Sequence, residues 1–313
     1  MRKEYKLKVS TKKKKLFIYL FFFLCGLFLS FKYINSLNIN YKNKRLTEFI
    51  LDKATYKKGY TKTLIKNTFL DIYKNPTKYL LNINTKVKNE QEIIIPATNL
   101  DNSNKPLIYI YNTHQTEEYA SSNILEFTIK PTVTMANYIL EDIFNSNSYK
   151  TLVEERNIKE ILNQNNWKYS NSYKASRIFL ETSKETHPTL KYFIDVHRDS
   201  LKKERTTITI NDKSYAKLLF IVGLENKTYN DNLMFTTEIN NCLNTKYPNL
   251  SKGIYKKSGP GVNGIYNQDF SPYTILIEIG GYENTTTEVL NSSIAFSECF
   301  MEVISIYESS RNN

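Results

Sequence analysis

YFIDVHRDS, residues 192–200, sets apolar side chains around one aspartate and then breaks into His197, Arg198 and Asp199. A short apolar run bounded by polar residues reads as a buried strand, and this one delivers ionisable groups at its carboxyl end. Two further runs repeat the plan. LIYIYN (107–112) is followed at once by Thr113 and His114, and YTILIEI (273–279) carries Glu278 just before Gly280 and Gly281. Helical periodicity lies between them over 132–144, 172–182, 233–243 and 287–307. TTITI (206–210) and AKLLFIVG (216–223) read as a hairpin about residues 211–214. Alternating strands and helices define an α/β domain, a mixed sheet flanked by helices. In such sheets the carboxyl ends of the strands converge on one edge, where sites form.

Upstream of residue 101 the character changes. Of 43 basic and 31 acidic residues, 22 and 25 fall in residues 101–313, so within the net charge of +12 the first hundred residues carry +15 and the rest −3. A slightly acidic folded domain argues against nucleic acid as its partner. LFIYLFFFLCGLFLSF (16–31) is uncharged and, with Tyr33 and Ile34 added, is long enough to cross a bilayer if Lys32 snorkels. Basic residues outnumber those just after it on the amino-terminal side, which keeps that end in the cytoplasm, and no small-residue cleavage site closes the run. The expected organisation is a basic cytoplasmic tail (1–15), a transmembrane anchor in membrane lipid (16–34), a stem outside the membrane (35–100) and an extracytoplasmic domain (101–313). The stem shows patchy helical periodicity at 46–56 and 64–73. Cys25, Cys242 and Cys299 contain no C-x-x-C pair, so neither a disulfide framework nor a thiolate metal site is expected, and Cys242 and Cys299 read as small buried helix residues.

The chemistry lies at the strand ends. Only three histidines occur, and two of them, His114 and His197, directly follow apolar strands. Imidazole and carboxylate suit zinc, and a catalytic zinc takes three protein ligands with a fourth position open. The carboxylates nearest His114 are Glu117 and Glu118. Glu278 then remains to take a proton from water, and a carboxyl inside an otherwise apolar strand demands a charge partner or a function. Asp195 alternates with Val196 and is placed either to orient an imidazole or, as a strand-end carboxylate, to accept from backbone amides. Arg198 is placed to hold a substrate carboxylate or to pair with Asp199. His187 reads as a solvated turn residue and Trp167 as a core or interface aromatic.

NTHQTEEY (112–119), SYKASR (172–177), FIDVHRDS (193–200), LLFIVG (218–223), GPGVNGIYNQDFSP (259–272) and ILIEIGGYENTTTEVLNSS (275–293) occur in that order. Together they resemble the stage II sporulation protein P family, which is similar in fold to zinc-dependent N-acetylmuramoyl-L-alanine amidases. The resemblance implies His114, Glu117 and His197 as zinc ligands, Glu118 as the reserve, and Glu278 as the catalytic glutamate. It implies Arg198, Asp199, Asn267 and Gln268 as residues that bind substrate or support the ligands. The implied activity is cleavage of the amide between N-acetylmuramic acid and L-alanine in peptidoglycan, with endopeptidase action on peptide cross-links, at the engulfing septum of a sporulating cell. Implied partners are the stage II sporulation proteins D and M. The alternative is a catalytically inactive, membrane-anchored protein that binds wall or serves as a scaffold.

Overall fold

The computed structural model describes residues 54–56, 105–124 and 127–309. The expected membrane segment and nearly all of the expected stem lie outside these residues. In chain order the strands are β1 (Ala54–Tyr56), β2 (Ile108–Tyr111), β3 (Ser122–Ile124), β4 (Phe127–Ile129), β5 (Thr151–Val153), β6 (Tyr192–Asp199), β7 (Thr207–Ile210), β8 (Lys213–Ala216), β9 (Leu218–Gly223), β10 (Ser251–Lys257) and β11 (Thr274–Gly281). The helices are α1 (Thr134–Ser146), α2 (Ile158–Gln164), α3 (Ser172–Thr186), the short α4 (Lys203–Thr206), α5 (Tyr229–Lys246) and α6 (Thr286–Ser309). Six strands form the main sheet in the order β10-β9-β11-β6-β2-β5. From β11 through β6 and β2 to β5 all neighbours are parallel, whereas β9 meets β11 antiparallel. The sheet is mixed and helix-flanked, as the alternating runs require.

Period-2 alternation sorts the strand residues between two faces. Ile108, Ile110, Ile194, Val196, Leu218, Phe220, Ile275 and Ile277 join one core with Ile139 and Phe144 of α1, Phe235 and Ile239 of α5, and Phe296 and Phe300 of α6. Burying side chains of this size stabilises the fold by about 1.5–3 kcal/mol each. The opposite face is mixed in character. Tyr109, Tyr111 and Phe193 pack with Leu180 of α3, and Leu219, Ile221 and Leu276 pack with Tyr173 and Tyr266, while Asp195, His197 and Glu278 fall in the same alternation. Helix α6 is long and apolar enough to cross a membrane, but Val289, Phe296, Cys299, Phe300 and Ile304 are fully buried in the core, so here it is a core helix.

Three expectations change. The hairpin is β7 with β8, closed by Asn211 and Asp212, which both take the left-handed backbone (φ 48° and 61°) that a two-residue turn of this kind needs; residues 218–223 are a separate strand in the main sheet. Residues 54–56, within the stretch read as helical, form β1 and pair with β4. Cys242 of α5 and Cys299 of α6, expected as unpaired buried residues, form a disulfide with Cα atoms 5.6 Å apart. Their separation of 57 residues hid the pair, because only the docking of α5 beside α6 brings them together.

Closing a loop of that length restricts the unfolded chain, so Cys242→Ser is expected to lower stability by about 2–4 kcal/mol, measured by denaturant unfolding with and without reductant. An ion cluster at the end of β5 offers a pH test. Glu154, at the end of β5, accepts hydrogen bonds from Tyr109 Oη and from Arg156 Nη2 (2.5 Å), and these contacts hold its carboxyl below the ordinary range against the opposing effect of burial. A depressed carboxyl contributes stability above its unfolded value, and that contribution is lost as the pH falls. Glu154→Gln is therefore expected to lose roughly 2 kcal/mol at neutral pH, with the gap to the parent closing below about pH 4.5 in urea titrations. A pH-independent gap would refute the assignment.

Candidate metal centre and active site

Two strand ends and one loop build the site. β2 runs into Thr113 and His114, and a tight turn, with Glu117 N donating to the His114 carbonyl at 3.1 Å, brings Glu117 back over His114. The Gln115 side chain clamps this turn to the β5–α2 loop, donating to the Arg156 carbonyl (2.8 Å) and accepting from Ile158 N (2.8 Å). On β6, His197 follows Asp195 on the same face. β11 lies parallel beside it with Glu278 in register with His197, and the register then shifts before Gly281. Gly281 is required there, since a Cβ would come 2.3 Å from the Leu201 carbonyl oxygen.

Nδ1 of His114 and Nδ1 of His197 each lie 3.5 Å from an oxygen of Glu117. The three donor groups fall within 4.8 Å of one another. Tetrahedral bonds of about 2.1 Å place ligand atoms about 3.4 Å apart, so this triad fits a zinc-sized cation with a position left over. The remaining nitrogen of His197, Nε2, sits 3.1 Å from Asp195 Oδ1, at an angle that falls short of a hydrogen bond. A carboxylate behind an imidazole is the arrangement that orients a ligand histidine.

The electrostatics agree with a cation site. Burial opposes the ionised form of Glu117, but hydrogen bonds from His114, His197 and the Arg198 amide hold its carboxyl down at about 2. Burial works against a charged His197, yet Asp195 first and Glu117 after it outweigh burial and raise it to about 10. Carboxylates that draw a proton onto a buried imidazole will equally draw a metal ion. Burial, reinforced by Asp199, pushes the Glu278 carboxyl up to about 7, with His197 opposing.

The other predicted residues occupy distinct places. Glu118 turns outward, half exposed, and pairs with Lys130 at 2.6 Å, apart from the histidine cluster. The Arg198 side chain donates to the carbonyls of Glu118 (3.1 Å) and Asp199 (3.3 Å), and Asp199 pairs with Lys252 of β10 at 2.6 Å. Asn267 takes a left-handed backbone (φ 56°) and donates to the Tyr173 carbonyl (2.9 Å) and Ser176 Oγ (3.0 Å). Gln268 is fully buried, its amide bridging Gly223 N and the Ile221 carbonyl at the end of β9. Trp167 lies against α2 and α3 with the Lys174 ammonium 4.0 Å from its ring centre, and His187 ends α3. Sequence reasoning passed over Gln115 and the rings of Tyr169 and Tyr173, which both contact His114. The helical spacing of residues 172–182 marked a buried face but not what that face would meet.

These features define a mixed α/β domain with a candidate His, Glu, His cation site and a half-buried glutamate at the carboxyl ends of its parallel strands. The chain matches stage II sporulation protein P over residues 32–301, and it belongs to that family. It is 33% identical over 205 residues to stage II sporulation protein P of Bacillus subtilis (strain 168), a match covering 64% of this chain and about half (51%) of that relative. Two solved structures overlap it in part. One is the CwlD amidase from Clostridioides difficile in complex with the GerS lipoprotein (12% identity, 64% of this chain, 99% of that chain, TM-score 0.43), and the other is Cwp6 from Clostridium difficile (11% identity, 66% and 30%, TM-score 0.39).

If the triad holds a divalent ion, His114→Ala and His197→Ala are each expected to lose it, while Glu118→Gln keeps it. Elemental analysis of the purified full-length chains gives the answer. Full occupancy in both histidine variants would return those residues to a purely structural role.

Proposed function

We propose that this protein is a zinc-dependent peptidoglycan hydrolase of sporulating cells, cleaving the amide between N-acetylmuramic acid and L-alanine and, at the same site, peptide cross-links during engulfment. The observation that carries the reading is the convergence of His114, Glu117 and His197, with Glu278 in register beside His197. Zinc bound by the three ligands would polarise the amide carbonyl and activate water toward it. Glu278 takes the proton lost by the attacking water and delivers it to the departing L-alanine nitrogen as the carbon–nitrogen bond breaks. Asp195 holds the His197 ring from behind, and the Arg198 main chain holds Glu117 through its amide.

In this reading residues 16–34 anchor the protein in the membrane, residues 35–100 form the stem, and residues 101–313 work outside the cell membrane. The Cys242–Cys299 disulfide suits an oxidising compartment. The stage II sporulation proteins D and M are the proposed partners at the septum.

The test is digestion of purified peptidoglycan by the full-length chain in detergent, with and without chelator, followed by mass analysis of the fragments. Free stem peptides with amino-terminal L-alanine, absent under chelator, are expected. Glu278→Gln should keep its metal and fold yet cleave roughly two to four orders of magnitude more slowly, the usual range for loss of a general base. Normal cleavage by Glu278→Gln would remove that residue from the reaction.

A further inference from the structure

Aromatic rings are folded away from water where packing allows, so an exposed ring held rigidly beside a reactive centre is informative. Tyr169 opens the 3-10 turn Tyr169–Asn171 ahead of α3 and is 54% exposed. Its ring nevertheless lies along the His114 imidazole, with centroids 5.2 Å apart and planes 23° from parallel. The backbone beneath it is pinned, because the Tyr169 carbonyl accepts both the Ser172 hydroxyl (2.6 Å) and the Ser172 amide. Its hydroxyl lies beside Thr116, in the turn that carries both His114 and Glu117. His114 and Tyr173 meet edge to face at 5.7 Å, as do Tyr173 and Tyr266 at 5.4 Å, so Tyr169 and Tyr173 flank His114, and Tyr169 is the most exposed of the three tyrosines.

We propose that Tyr169 is a saccharide-stacking platform, receiving the C–H face of the pyranose next to the scissile bond. The inference rests on the hydrolase reading and adds to it the residue that recognises sugar. A pyranose offers one apolar, weakly positive C–H face, and the partner that suits it is a flat, uncharged π-surface already fixed in place. Tyr169 meets each condition. Its ring is neutral, its inner side is occupied by His114, its outer side meets solvent, and few rotamers remain to be frozen when ligand arrives. In an N-acetylmuramoyl amide the reacting carbonyl hangs from the sugar by a short lactyl link, so a sugar bound beside a metal ligand leaves that carbonyl within reach of the metal site.

The competing role is a lid that merely holds His114. The experiment uses the full-length chain carrying Glu278→Gln, so that ligand is not consumed, and measures binding of a disaccharide–tripeptide muropeptide and of the free tripeptide. Adding Tyr169→Ala is expected to weaken the muropeptide about tenfold, leave the free tripeptide unchanged and leave metal content unchanged, with Tyr169→Phe near the parent. Equal weakening of both ligands, no weakening, no measurable muropeptide binding by the parent, or loss of metal in Tyr169→Ala would each overturn the proposal. Failure of the wild-type chain to release stem peptides, with the sugar-dependent difference intact, would instead sink the hydrolase reading and leave the platform standing.

Discussion

A carboxylate with no exposure to water has to be satisfied from within the protein, and the carboxyl edge of this sheet is organised around one such group, Asp195. It accepts the Thr113 amide at 2.9 Å and the Thr113 hydroxyl at 2.7 Å, and it stands 3.1 Å from His197. The Thr113 hydroxyl also meets Ser176 of α3 at 2.8 Å, and Ser176 receives the Asn267 amide at 3.0 Å. One buried charge thus ties together the end of β2, the end of β6, helix α3 and the loop before β11. His114 follows Thr113 and His197 lies two residues beyond Asp195, so the two imidazoles cannot move apart without exposing that charge. The approach of the two imidazoles is a by-product of satisfying Asp195.

A parallel network stiffens the next layer out. Asn112 donates to the Val196 carbonyl at 2.6 Å and exchanges hydrogen bonds with Asn137 of α1. The loop before β11 is fixed at its other end, where Gln268 caps two backbone groups of β9. Preorganisation of this kind lets a site present charge to a reacting group without rearranging at that moment.

Much of this was legible in the sequence. The runs at 107–112, 192–196 and 273–279 announced the central strands because strands buried on both faces are apolar nearly throughout, and the polar residues that interrupt them, Asp195 and Glu278, are the ones that converge on the candidate site. Two strands of the main sheet escaped notice for physical reasons. SKGIYKK, which forms β10, is an edge strand with one side to solvent, so its lysines mask it, and β5 is only three residues long. The divergence of Glu117 and Glu118 follows from the turn after His114, which sends adjacent side chains to opposite sides; spacing alone left both within reach. The disulfide and the Tyr169 contact were illegible because each joins elements whose docking depends on the assembled core.

The loop from β10 to β11 combines tight constraint with latitude. Gly223 accommodates the Gly264 carbonyl so closely that a Cβ there would stand 2.2 Å from its oxygen, whereas at Gly259 and Gly261 there is space for a Cβ and only the left-handed backbone (φ 88° and 89°) favours glycine. In terms of permissible variation, the loop behaves as a cassette with a fixed socket. Its base is locked by a backbone approach that no side chain at position 223 can share, while Val262 and Ile265 at its tip are exposed and can change without disturbing that base. A change at either of those two positions alters what the tip touches while the register that sets Asn267 and Gln268 stays in place.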